Sequence, residues 1–199
     1  MINYEVFLAL MLYYFVMYVT PGPNNAMVLT SGLKFGFQKT ITHIFGITFG
    51  HIIQLILVCF GLGQVFILFP DVQIVLKYIC AIYILYLGYK ILGSINPIID
   101  DGSRPLKLYE AALFQIVNPK AWTISSMAAS GFLQINDNLG IAILIIASTA
   151  LVICPLSITP WAMFGAAIRQ IVKNKNIKTI IEYSLALFLL ITAILIVYN

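Results

Sequence analysis

The sequence predicts an all-α membrane protein with six transmembrane helices in two inverted three-helix halves, the first and fourth helices broken by proline motifs. Three observations predict it. Of the 199 residues, 61% are apolar and only 9% charged, with a mean hydropathy of +1.00, whereas a soluble domain carries roughly 25% charge. The apolar residues form continuous runs of about the 20 residues that a helix needs to cross a hydrocarbon core ~30 Å thick. Lipid offers no water to satisfy backbone groups, so helices are the default, and a barrel would show alternation instead.

Dividing the chain where charge, proline and asparagine cluster gives spans at residues 4–31, 41–69, 72–92, 108–135, 139–168 and 177–198. The first is read as a retained span: Glu5 stands where a signal peptide is basic, and no A-x-A-like cleavage site follows. Within it lies Thr20-Pro21-Gly22-Pro23-Asn24-Asn25. Two prolines without N–H donors and a glycine stop any regular helix there. Asn24 or Asn25 suits the N-cap of the helix that restarts, because a short amide accepts from exposed N–H groups.

The second span carries Gly46 and Gly50 as GxxxG, and Gly32 and Gly36 repeat the spacing just before it. Small residues so spaced let helices approach closely, and packing is their expected role. Tyr78, Tyr83, Tyr86 and Tyr89 stripe the third span, its end members fitting an aromatic belt. Tyr14, Tyr18 and Tyr86 can turn hydroxyls into a cavity, and Tyr86 is taken as a substrate-lining residue. In the fourth span, Asn118-Pro119-Lys120 repeats the grammar of the first break; Thr123 and Ser126 follow on one face, able to line a cavity or bond back to their helix. The fifth holds Pro155 and Pro160 with Ser157 and Thr159, which reads as a kink or a moving gate.

Basic residues orient the spans, since cytoplasmic loops hold an excess of Lys and Arg. Lys34, Lys39, Lys90, Arg104, Lys107, Arg169, Lys173, Lys175 and Lys178 fall on one side, against Lys77 on the other. Both termini are therefore expected to be extracytoplasmic. The 11 basic residues stand singly between apolar runs, and this excludes a nucleic-acid-binding face. The whole chain, 1–199, reads as one integral membrane domain: half 1–95, a cytoplasmic connection at 96–107, and half 108–199. Three helices followed by three more start from opposite faces, so the halves can form an inverted repeat.

Superimposing Pro119 on Pro23 gives an offset of 96 residues and sets Lys120 against Asn24. Interrupted segments at matching positions of two halves point to a transporter binding site. A half-helix starting inside the membrane presents N–H groups and a positive dipole end to a carboxylate. One ending there presents carbonyls to an ammonium, so together the breaks suit a zwitterion. Lys120, roughly 18 Å along its helix from Leu108, is costly unless it lines a wet cavity or has a partner. No acid lies deep in a span to pair with it, which favours a bound carboxylate or water. Two kinks and a snorkelling lysine are the alternative. The expected substrate-binding group is Pro23, Asn24, Asn25, Asn118, Pro119, Lys120, Thr123 and Tyr86, with Pro21, Gly22, Pro23 and Pro119 as the breaks.

At these residues the sequence resembles the LysE/RhtB family of bacterial amino-acid exporters. The resemblance is carried by TPGPNNAMVLTSGLKFG from Thr20, GITFGHIIQLILVCFGLG from Gly46, YILYLGYKIL from Tyr83 and FQIVNPKAW from Phe114, in order along nearly the whole chain. It implies a six-span carrier of the bacterial cytoplasmic membrane that exports amino acids or small derivatives, in exchange for protons, and needs no cofactor or metal. Where the family often has an acidic or other polar group near the start of the second span, this chain places His51. Histidine has an unperturbed pKa of ~6.5, which makes His51 the candidate proton carrier and Glu110 the second; a neutral histidine bonded to a neighbouring helix is the structural alternative. The expected partners are an amino acid, protons and the bilayer, with a homo-oligomer left open.

Rival classes find less support. A serine protease needs a base within reach of its serine; Ser130-Gly131 lacks a G-x-S-G setting, and neither HExxH nor paired intramembrane aspartates occur. A thiol-redox relay would need a cysteine near the break of each half. Cys59 and Cys80 share the first half and Cys154 lies in the fifth span, so these read as small buried apolar residues. A structural membrane subunit that moves no solute is the other alternative.

Overall fold

The computed structural model describes residues 4–61, 68–92, 104–133, 138–171 and 175–198, and all regular structure among them is α-helical. The first expected span is two helices, α1 (Tyr4–Val19) and α2 (Pro23–Phe35), bent by 56° at the proline motif. Helix α3 (Phe37–Cys59) corresponds to the second span and α4 (Pro70–Ile91) to the third. The fourth is again split, into α5 (Leu108–Val117) and α6 (Pro119–Phe132), and α7 (Leu139–Ile171) and α8 (Lys175–Tyr198) complete the chain.

Among the described residues, Phe37–Cys59, Leu139–Arg169 and Thr179–Tyr198 are long and apolar enough to cross a bilayer, and the bent pair α1–α2 is a fourth such segment. The second span departs from its expected bounds. It starts at Phe37 because α2 and α3 are joined by Gly36 alone, whose φ of +85° reverses the chain at little cost only for glycine. It ends at Cys59, where Phe60 and Gly61, φ +103°, close the helix. The connection between the halves at 96–103, together with Asp137 and Lys173, lies outside the described residues.

Packing crosses between the halves. Helix α3 lies against α5 and α6, α7 against α1 and α2, α3 and α7 touch each other, and α4 pairs with α8. The close approaches use small residues. A Cβ on Gly46 or Gly50 would run into the α5 backbone at Leu108 and Ala112, and one on Gly32 or Gly165 would meet Ala162 and Leu29 across the α2–α7 contact. The packing role expected of Gly46, Gly50 and Gly32 is thus observed. Helix α2 is the buried axis, sending Val28 into a core with Leu10, Ile47 and Ile158, and Met27 and Leu33 into a second with Ile84, Phe114 and Leu189.

Polarity is reversed relative to a soluble protein. Asn25, His43, His51, Gln115, Asn118 and Ser125 are buried, while Phe45, Phe49, Ile53, Leu57, Leu144 and Leu156 face outward. That arrangement suits lipid outside and a polar interior. Helix α7 runs unbroken through Pro155 and Pro160, with the Thr159 hydroxyl donating to the Pro155 carbonyl at 2.6 Å. Cys80 and Cys154 are buried and Cys59 half-buried, all three as free thiols.

Candidate functional site

The two breaks meet. At the first, α1 ends at Val19 and leaves carbonyls that no further turn can satisfy. Asn25, expected as an N-cap, instead lies inside α2 and reaches back, its Nδ2 donating to the carbonyls of Tyr18 at 3.0 Å, Val19 at 3.2 Å and Thr20 at 2.9 Å. Trp161 of α7 adds an Nε1–H to the Val19 carbonyl at 3.2 Å. The N-cap position of α2 belongs to Gly22, with Pro23 in the first turn and no side-chain cap. Proline preorganises that turn and lacks an N–H to satisfy, and Asn24 and Asn25 fall two and three positions past the cap.

The second break is built differently. Asn118 is the N-cap of α6, its side chain accepting from the Lys120 N–H at 3.1 Å. The Lys120 side chain then crosses to the other half. Its Nζ donates to the Thr20 carbonyl at 2.7 Å, the Thr20 hydroxyl at 2.9 Å and the Pro21 carbonyl at 3.2 Å. A partner for this ammonium, expected to be a bound carboxylate or water, is thus supplied by the carbonyl end of α1. The stem lies over Gly22, where a Cβ would come within 2.8 Å of Lys120 Cδ.

Two glutamines that sequence reasoning passed over hold the breaks together. Asn24 and Gln115 exchange amide hydrogen bonds at 2.9 and 3.1 Å, joining α2 to α5. Gln54 of α3 donates to the Gln115 carbonyl at 3.0 Å, and Asn118 reaches Gln115 Oε1 at 3.4 Å. An amide inside an apolar run must find a partner or pay for desolvation, and that was the available signal.

Among these groups lies a cavity of about 20 Å³ lined by Tyr18, Asn24, Asn25, His51, Asn118 and Lys120 among others. That is room for a single water, which needs roughly 10–15 Å³. His51 is 1% exposed, its Nε2 has no hydrogen-bond partner, and the Tyr18 ring meets it edge-on at 5.4 Å. The Tyr18 hydroxyl is also buried without a partner. Of the expected site residues, Asn24, Asn25, His51, Asn118 and Lys120 are therefore brought together.

The others lie elsewhere. Pro21, Pro23, Pro119 and Thr123 line a cavity of about 310 Å³ with Gly22, Lys77, Lys120 and the Thr192–Ile196 end of α8, and the Thr123 hydroxyl bonds back to the Pro119 carbonyl at 3.1 Å. Gly22 and Lys120 border both this cavity and the small one, so the lysine stem is the partition between them. Tyr86 lies in a third cavity, of about 350 Å³, at the opposite end of α2 with Lys34 and Arg104. Glu110, the second proton candidate, is engaged by Arg104 at 2.7 and 2.5 Å and by the Lys107 N–H at 2.8 Å. Ser130 is exposed and bonded to its own helix at Met127.

The profile of the family described as LysE type translocator matches residues 15–199. The chain is 30% identical over 135 residues to a cysteine/O-acetylserine efflux protein of Salmonella typhimurium, covering 64% of this chain and 68% of the relative. It is 26% identical over 169 residues to a leucine efflux protein of an Enterobacter species, covering 81% and 80%. No solved structure matches the chain.

Proposed function

The chain belongs to the LysE type translocator family, a family of membrane transporters, and from that premise we propose that it is a secondary transporter exporting amino acids or small amino-acid derivatives by alternating access. The observation that carries this reading is the meeting of two broken helices around one small polar cavity. The carbonyl end of α1 suits an ammonium, and the uncapped first turn of α2 suits a carboxylate. A zwitterion needs both. The efflux proteins named above, for cysteine and O-acetylserine and for leucine, support the same class of cargo.

In this mechanism Lys120 occupies the place of the cargo's ammonium. An arriving amino acid competes for the Thr20 and Pro21 carbonyls, and the displaced lysine pairs with its carboxylate. A cavity of about 20 Å³ admits no amino acid, so loading requires the halves to part on one side. Cavities of about 350 and 310 Å³ at the two ends of α2 support access from each face in turn. The exchange of packing partners, α3 on α5–α6 and α7 on α1–α2, is what a two-fold relation between inverted three-helix halves would produce, and it supports the count of six spans.

Lys34 and Arg104 share one cavity and Arg169 approaches Gly36, which gathers basic residues of three loops at one end. The excess of basic charge makes that end cytoplasmic in a bacterial inner membrane, with both termini outside. His51, buried beside the cavity with an unpartnered nitrogen, is the group we assign to the coupling proton.

The test is transport by purified Lys120→Met protein in liposomes. Export is expected to fall below about a tenth of the wild-type rate while the protein still folds and inserts; wild-type flux would contradict the role of the breaks. His51→Gln is expected to keep amino-acid movement but lose its response to an imposed pH gradient.

A further inference from the structure

We propose that the cavity of about 350 Å³ between α2, α3 and α4 is a second binding site for an amino-acid zwitterion, a loading site distinct from the one at the helix breaks. This rests on the reading of the chain as an amino-acid carrier. None of its lining residues lines the small central cavity, and its volume lies in the range of roughly 300–1,000 Å³ that small-molecule sites occupy.

The chemistry of the lining is specific. The Thr30 hydroxyl donates to the Ala26 carbonyl at 2.8 Å. Thr40 spends its hydrogen on the Gly36 carbonyl at 2.9 Å, so Ser31, 2.9 Å from it, must be the donor in that pair. The two α2 hydroxyls that line the cavity, Thr30 and Ser31, have thus used their hydrogens and present lone pairs, which accept from an ammonium. Lys34 lines the cavity one helical turn further along α2, and its ammonium carries three N–H donors, of which a carboxylate needs one. Among the described residues no Asp or Glu lines the cavity, and the charge of Arg104 is held by Glu110.

His43 supplies the second, independent observation. It is 2% exposed, lines the cavity, and neither ring nitrogen has a hydrogen-bond partner. Buried polar groups are nearly always paired. A neutral imidazole needs one donor and one acceptor, and a zwitterion brings both.

The experiment is equilibrium dialysis of the purified chain in nanodiscs with radiolabelled L-leucine, L-cysteine and O-acetyl-L-serine, alongside transport in liposomes. Two molecules per chain are expected for the wild type, one for Lys120→Met, one for His43→Leu and none for the double variant. His43→Leu is also expected to raise the transport KM about tenfold or more with little change in kcat. Should His43→Leu not yield monodisperse protein, Lys34→Met at the rim carries the same expectation. A single molecule per chain in the wild type with none in Lys120→Met, or unchanged stoichiometry and KM in both cavity variants, overturns the loading site. Transport persists in either case, so the carrier reading survives. A wild type that neither binds nor moves any of the three removes both.

Discussion

Asn24, Gln115 and Lys120 join the two breaks, and each is costly to bury without its partner. Replacing Gln115 by Leu strands the amide of Asn24, and the desolvation left uncompensated is about 1–3 kcal/mol. The expected outcome is a lower thermal midpoint in detergent together with slower transport, and an unchanged midpoint would place Asn24 on some other partner. The TPGPNN and NPK motifs, His51 and Lys120 were legible because breakers and charges are conspicuous in apolar runs. Gln54 and Gln115 were harder to read, since an amide in an apolar run signals the need for a partner without saying which one. The capping role expected of Asn24 or Asn25 failed because Pro23 takes the first turn of α2 and moves the cap to Gly22. The sequence offers Tyr14, Tyr18 and Tyr86 alike as cavity tyrosines; only the fold distinguishes Tyr18, whose ring meets His51, from Tyr86, 51% exposed at another cavity.

At the scale of helices, close packing without a hydrophobic drive depends on backbone approach. Gly32 sits where a Cβ would press on the Ala162 backbone of α7, whereas Gly131 has open space around it. Gly32→Ala is expected to cost about 1–3 kcal/mol through overpacking, and Gly131→Ala to be neutral or stabilising by up to about 1 kcal/mol. Thermal unfolding of the two variants checks this, and equal behaviour would deny the α2–α7 contact its role. The packing roles of Gly32, Gly46 and Gly50 were legible, though their partners were not, because spacing names a face and not what lies opposite; Gly36, expected to pack with Gly32, serves instead as the positive-φ turn between α2 and α3. Helix ends were harder. The second span was expected to begin at residue 41, but a single positive-φ glycine suffices as a turn and lets α3 start at Phe37.

The whole molecule is organised by exchange between its halves. Each broken pair packs on the middle helix of the other half, and Lys120 of one half closes on the carbonyl end of α1 in the other. The class of fold and the meeting of the breaks were legible in composition and in the 96-residue offset. The separation of three cavities along α2 was not, because it depends on which side chain blocks the passage. Cysteines introduced at Glu5, at the start of α1, and at Arg169 in a cysteine-free background should label from opposite sides of the membrane with an impermeant maleimide; labelling from the same side would contradict the proposed topology.

The central claim is that amino acids leave through this chain, and reconstitution tests it most directly. Purified protein is inserted into liposomes loaded with a mixture of amino acids and O-acetyl-L-serine, a pH gradient is imposed, and the solutes that leave are identified. The account predicts selective loss of one or a few of them, faster with the gradient than without it. With insertion verified, efflux no faster than from protein-free liposomes would contradict it.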